Sequence, residues 1–96
     1  MFAHLVLFKI GTGNRQMSEE MADKFAGIYA ECPNCKQVTF LGDDENGEYG
    51  SISLWDSEAA LAAYQEQAGP QLAAALQDVA LGPPAIRKFE VYEPKG

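Results

Sequence analysis

The chain holds a single histidine, His4, set in the apolar opening stretch MFAHLVLFKI. A neutral imidazole in the middle of a strand could take the proton of a phenol near pH 7. The plainer alternative is a hydrogen-bonded structural or interface histidine. Tyr29 and Tyr64 fall on apolar stripes of two helical stretches and could offer hydroxyls to a bound oxygen atom. They could equally fill a core with their hydroxyls at its rim. Trp55 could stack on a planar ring or close the gap between a strand and a helix. Phe40 adds another flat surface, and Ser51 could hold a water. Together these side chains would suit a small planar aromatic ligand bound in an apolar cleft with few polar groups.

Cys32-Pro33-Asn34-Cys35 is a C-x-x-C pair. In redox proteins this motif opens a helix, whose N-terminus lowers the thiol pKa. Here it closes a helical stretch, and the pair reads as two reduced cysteines, with a local disulfide as the alternative. A structural zinc needs four ligands, and His4 is the one other obvious candidate, so no metal site is expected. Asn14 and Arg15 read as a solvated loop. Asp43, Asp44, Glu45 and Glu48 read as a solvated hairpin tip, with a spacing unlike that of a calcium loop.

The elements that must position these residues follow from periodicity. Phe2–Ile10 is apolar on both faces, as in a strand covered on both sides. Ser18 is the expected cap of a helix whose stripe is Met21, Phe25, Ile28, Tyr29 and Cys32, ended by Pro33. Gln37–Leu41 and Tyr49–Trp55 form a hairpin with a long acidic loop over residues 42–48. Ile52 and Leu54 lie on one face of its second strand. Tyr49, Ser51, Ser53 and Trp55 lie on the other. Ser57 caps a helix carrying Leu61, Tyr64 and Ala68, which Gly69 is expected to stop. Pro70 then starts a short further helix with Leu72, Leu76 and Val79 inward. After Gly82-Pro83-Pro84, Ile86–Tyr92 is the last strand.

The order β-α-β-β-α-(α)-β predicts an α+β, ferredoxin-like split-βαβ fold over residues 1–96, read as one domain. It is a four-stranded antiparallel sheet with its helices on one face. The other face, apolar in the first strand, predicts a homodimer joined through the sheet faces. A hydrophobic fraction of 47% in only 96 residues agrees with that.

Lys and Arg total 7 against 14 Asp and Glu, a net charge of −7. Nucleic acids and anionic membrane surfaces are bound through basic residues, so neither is an expected partner. The first ten residues lack a basic leader and a small-residue cleavage site, and no run is long and apolar enough to span a bilayer. A cytoplasmic location is the expectation.

The stretch Gly50-Ser-Ile-Ser-Leu-Trp-Asp-Ser-Glu-Ala-Ala-Leu61, with Tyr64 and the later Gly82-Pro83-Pro84, resembles the antibiotic biosynthesis monooxygenase (ABM) superfamily. The central feature is a strand ending in Trp-Asp-Ser-Glu that leads straight into a helix, and element order and length agree over nearly the whole chain. The resemblance implies a dimeric α+β barrel whose two sheets meet face to face, with a pocket between sheet and helices in each subunit. Some members oxidise polycyclic phenols with O₂ and neither metal nor flavin. Others degrade haem, or isomerise or cyclise small molecules.

By that resemblance Trp55 matches the tryptophan that the quinone-forming oxygenases place beside substrate. Their asparagine falls on Ser51 and their helix tyrosine on Leu61, with Tyr64 a turn further along. Their later arginine has no counterpart in Pro70–Leu81. The histidine region of the haem-degrading branch falls on Ala73, Ala74 and Ala75, which makes that activity the poorer fit. The expected function is a monooxygenase without cofactor acting on a small hydroxylated aromatic. His4, Trp55 and Tyr64 are the catalytic candidates, and Tyr29, Phe40, Ser51 and Leu61 would contact substrate. The alternatives are a non-catalytic ligand-binding or stress-related dimer of the same fold, and an isomerase or lyase relying on His4.

Overall fold

A strand flanked on both sides and apolar on both faces belongs in the middle of a sheet. A computed structural model, which describes residues 1–95, puts the first strand, β1 (Phe2–Lys9), there. It is followed by α1 (Arg15–Ala30), β2 (Cys35–Asp43), β3 (Glu48–Trp55), α2 (Glu58–Leu76) and β4 (Ala85–Glu90). The sheet order is β2-β3-β1-β4 and every pairing is antiparallel. This is the expected ferredoxin-like α+β arrangement.

Register fixes which side chains meet the helices. His4 lies opposite Ser53, Val6 opposite Ser51 and Phe8 opposite Tyr49, so these residues share one face. Side chains alternate across a strand, and that face is the buried one: His4, Val6, Phe8, Ser51, Ser53 and Trp55 are all buried. Two clusters form beneath the helices. One joins Phe25, Tyr29, Trp55, Leu61, Tyr64 and Ala68, and the other joins Val6, Phe8, Ile10, Tyr49 and Leu76. Leu5, Leu7, Ile52, Leu54, Leu41 and Phe89 point from all four strands to the face that carries no helix. No helix among the described residues is long and apolar enough to cross a membrane.

Three local expectations change. Helix α1 starts at Arg15, with Asn14 at the cap position. The hydroxyl of Ser18 is spent inside the first turn, donating to the Arg15 carbonyl at 2.7 Å. Asn14 instead donates its Nδ2 to the Ile10 carbonyl at 2.8 Å, tying the helix start to the end of β1.

The hairpin loop is shorter than expected, because β2 and β3 extend to Asp43 and Glu48. Gly47 takes φ +61°, and a Cβ there would strike the backbone of Gly11. Only glycine allows that approach, and it brings the Gly47 carbonyl within 2.9 Å of the Ile10 N–H.

Helix α2 runs through Gly69 and Pro70 without a stop. A proline normally clashes with the N–H and Cβ of the residue before it, and Gly69 has no Cβ. The remaining cost is set against the burial of Ala68 and Leu76 on either side. Ser57 caps this helix as expected, its hydroxyl accepting from the Ala60 N–H at 3.2 Å. Strand β4 ends at Glu90, and one further bond from the Val91 N–H to the Met1 carbonyl closes the pairing.

Candidate functional site

Between the helix-facing side of the sheet and the two helices lies a cleft of about 350 Å³. Its floor is His4, Val6 and Phe8 of β1 with Tyr49 and Ser51 of β3. Phe25 and Tyr29 of α1 and Tyr64 and Ala68 of α2 form the walls, and Arg15, Glu19 and Phe40 stand at the mouth.

His4 is the unusual group. It is 4% exposed, and neither Nδ1 nor Nε2 has a hydrogen-bond partner. The hydroxyl directly across the ladder, that of Ser53, accepts from Trp55 Nε1 at 2.9 Å. Lys88, opposite on the other side, pairs with Glu58 at 3.2 Å. Tyr64 meets the imidazole edge-on, with ring centroids 6.1 Å apart. Burial lowers the His4 pKa below its ordinary value, so the ring is neutral at pH 7. A buried polar group without a partner costs about 1–3 kcal/mol. A ligand hydroxyl that reached either of these buried nitrogens would supply the missing bond.

The rings around it interlock. Tyr29 and Tyr64 stack at 4.7 Å and 18°. Trp55 tilts against Tyr64 at 4.9 Å, and Phe40 meets Tyr29 edge-on at 6.2 Å. The Tyr29 hydroxyl and Ser51 Oγ are 3.4 Å apart. Burial, and then the Tyr29 hydroxyl, push the Tyr64 phenol well above its usual range, so it can serve as a donor but not as a base.

His4, Tyr64, Tyr29, Phe40 and Ser51 therefore line one cleft. Trp55 and Leu61 do not. With 1% and 0% of their surfaces exposed, they stand behind the tyrosine wall, where they support Tyr64 and cannot stack on a molecule in the cleft. Packing explains the difference: the same bulk that suits Trp55 to a ligand suits it to the strand–helix gap.

The mouth contains a group that the sequence reading assigned to a solvated loop. Arg15 Nη1 lies 3.0 Å from Asp44 Oδ2 and its Nε 3.2 Å from Glu19 Oε2, while the Tyr49 hydroxyl donates to Asp44 Oδ1 at 2.6 Å. The Tyr49 bond, followed by Arg15, holds the Asp44 carboxyl below its usual range. Arg15 is thus a rim residue engaged by two carboxylates, not part of a free loop. Its signal was hidden because Ser18 followed by Glu19 and Glu20 looks like a helix start.

Cys32 and Cys35 are half-buried free thiols packed against the aromatic cluster, and burial pushes both pKa values up. Among the described residues no three His, Cys, Asp or Glu side chains converge as metal ligands. Replacing both cysteines by serine is expected to leave thermal stability within about 1 kcal/mol and ligand affinity unchanged. Loss of bound zinc or of a redox activity in that variant would contradict this reading.

No family model and no curated protein matches the chain. Solved structures do. SnoaB, a cofactor-independent oxygenase from Streptomyces nogalater, superposes with a TM-score of 0.77 at 20% identity, over 97% of this chain and 94% of its own. Rv0793 from Mycobacterium tuberculosis gives 0.80 at 14% identity, over 99% and 98%. A structure described as an antibiotic biosynthesis monooxygenase gives 0.74 at 13% identity, over 97% and 100%. The chain has the fold of these proteins. The ferredoxin-like likeness spans both helices and all four strands, and at such identities it speaks for architecture and not for chemistry.

Proposed function

We propose that the chain is a monooxygenase that needs neither metal nor flavin and acts on a small hydroxylated aromatic bound in the cleft. The observation that carries this reading is His4, a neutral base with two unpartnered nitrogens in the floor of an apolar, ring-lined cavity. The fold shared with a cofactor-independent oxygenase supports it.

His4 takes the proton of the substrate hydroxyl, leaving an electron-rich anion. The anion passes one electron to O₂, and the substrate radical and superoxide combine at ring carbon to form a C–O bond. The peroxide so formed takes back the proton from His4, and loss of water across the O–O bond leaves a carbonyl. One oxygen of O₂ stays as the new carbonyl. The other leaves as water with the hydrogens of the ring C–H and the hydroxyl, so the substrate supplies all four electrons. Tyr64 can donate a hydrogen bond to a substrate or peroxide oxygen, and the ring walls keep water from the radical pair. O₂ uptake with a panel of anthrones, naphthols and catechols tests the idea. Tight binding of these compounds without O₂ consumption would favour the non-catalytic ligand-binding reading.

The same proposal includes a homodimer joined through the bare sheet face. Leu41, Ile52 and Phe89 are exposed there beside the half-buried Leu5, Leu7 and Leu54, an apolar patch that spans all four strands and suits a twin. Leu7, and not its neighbour Val6, points to that face. Leu7→Asp is expected to yield monomers, since an unpaired buried charge costs several kcal/mol. Light scattering that finds wild type monomeric at micromolar concentration would overturn the dimer.

A further inference from the structure

The cleft does not end at α2. Beside it, between the C-terminal half of α2 and the start of β4, lies a more open shelf of about 420 Å³, and the two cavities share Gly69, Leu72 and Ile86. All six residues of β4 are exposed, and Ile86 is 46% exposed although it shares the helix-facing side of the sheet with Val6. At the junction Gly69 contributes no side chain, and a Cβ there would meet no atom within 4 Å.

The two chambers differ in chemistry. Rings dominate the walls of the cleft, whereas the shelf is lined by Leu72, Ala73, Leu76, Ala80, Pro84 and Ile86, with Gln77 its one polar side chain and no aromatic or charged group. Resting on the oxygenase reading of the cleft, we propose that the substrate is a hydroxyarene bearing a short alkyl arm. Its ring lies in the cleft against His4, and its arm crosses the Gly69 junction onto the shelf. An aliphatic, uncharged lining matches an alkyl chain and gives a polar or ionic substituent no partner.

The test is titration calorimetry under nitrogen, comparing 1-naphthol with its butyl-substituted isomers. A fully buried methylene contributes about fourfold in affinity, so on a half-open shelf at least one butyl isomer is expected to bind about tenfold tighter than 1-naphthol. Ala73 lines the shelf but not the cleft and is exposed, so Ala73→Phe can fill the space without entering the core. That variant is expected to abolish the butyl gain and leave 1-naphthol binding as in wild type. Equal affinity for the parent and every isomer would overturn the proposal, as would a gain that survives in Ala73→Phe, and either result leaves the oxygenase reading standing. Failure of 1-naphthol itself to bind would remove both.

Discussion

His4→Ala is expected to lower kcat/KM for phenol oxygenation by about 100- to 10,000-fold, the usual contribution of a positioned general base. The loss should be steepest near neutral pH. Because burial lowers the His4 pKa, the wild-type rate should hold down through pH 6.5 and fall only below it, as the imidazole charges. In the variant the phenol must ionise unaided, so the rate should climb with pH toward the phenol's own pKa. Stability has the same sign. The unfolded chain binds a proton at His4 more readily than the folded one, so His4 weakens the fold as pH drops from about 6.5 toward its folded pKa. Folding should survive the substitution, since it removes a polar ring that has no partner to lose. A pH–rate profile in which His4→Ala follows wild type would end the assignment of His4 as base.

The second large effect is on stability. Trp55→Ala is expected to cost about 3–5 kcal/mol, as for other large-to-small core truncations. Total stability of such domains is about 5–15 kcal/mol, so the melting temperature should drop sharply. The side chain is 1% exposed, touches Tyr29 and Tyr64, and donates its indole N–H to Ser53. Trp55→Phe keeps most of the ring and should lose less. At temperatures where both proteins are folded, Trp55→Phe should bind ligand like wild type, because Trp55 stands behind the cleft wall. A Trp55→Phe protein of undiminished stability that no longer binds ligand would place the indole on the wall after all.

The fold was legible because its signals are periodic and long. The opening strand, apolar on both faces, read as covered on both sides. The alternation along Tyr49–Trp55 separated Tyr49, Ser51, Ser53 and Trp55 from Ile52 and Leu54, although only the structure shows that the first set is the buried one. The cleft was legible only in part. His4, Tyr29, Tyr64, Phe40 and Ser51 converge as their faces implied, but pattern alone cannot tell a ring on a cavity wall from a ring one layer deeper, as Trp55 and Leu61 show. Arg15 was missed because a rim depends on where a helix begins, and that was decided by Asn14 bonding back to Ile10. The Gly69-Pro70 pair misled because local breaker chemistry was overridden by burial on both sides of it.

That pair has a dynamic consequence. Pro70 has no N–H to give, so the carbonyl of Glu66 lacks the rung an unbroken helix would supply. The two halves of α2 are thus joined by one rung fewer than in an unbroken helix. The first half is held by Leu61 and Tyr64, both buried in the aromatic cluster, and the second is anchored chiefly by Leu76. In amide hydrogen exchange the residues after Pro70 should lose protection at lower free energy than those around Leu61. Such an opening would widen the gap between α2 and β4 without disturbing His4, giving a ligand a way in that leaves the base in place.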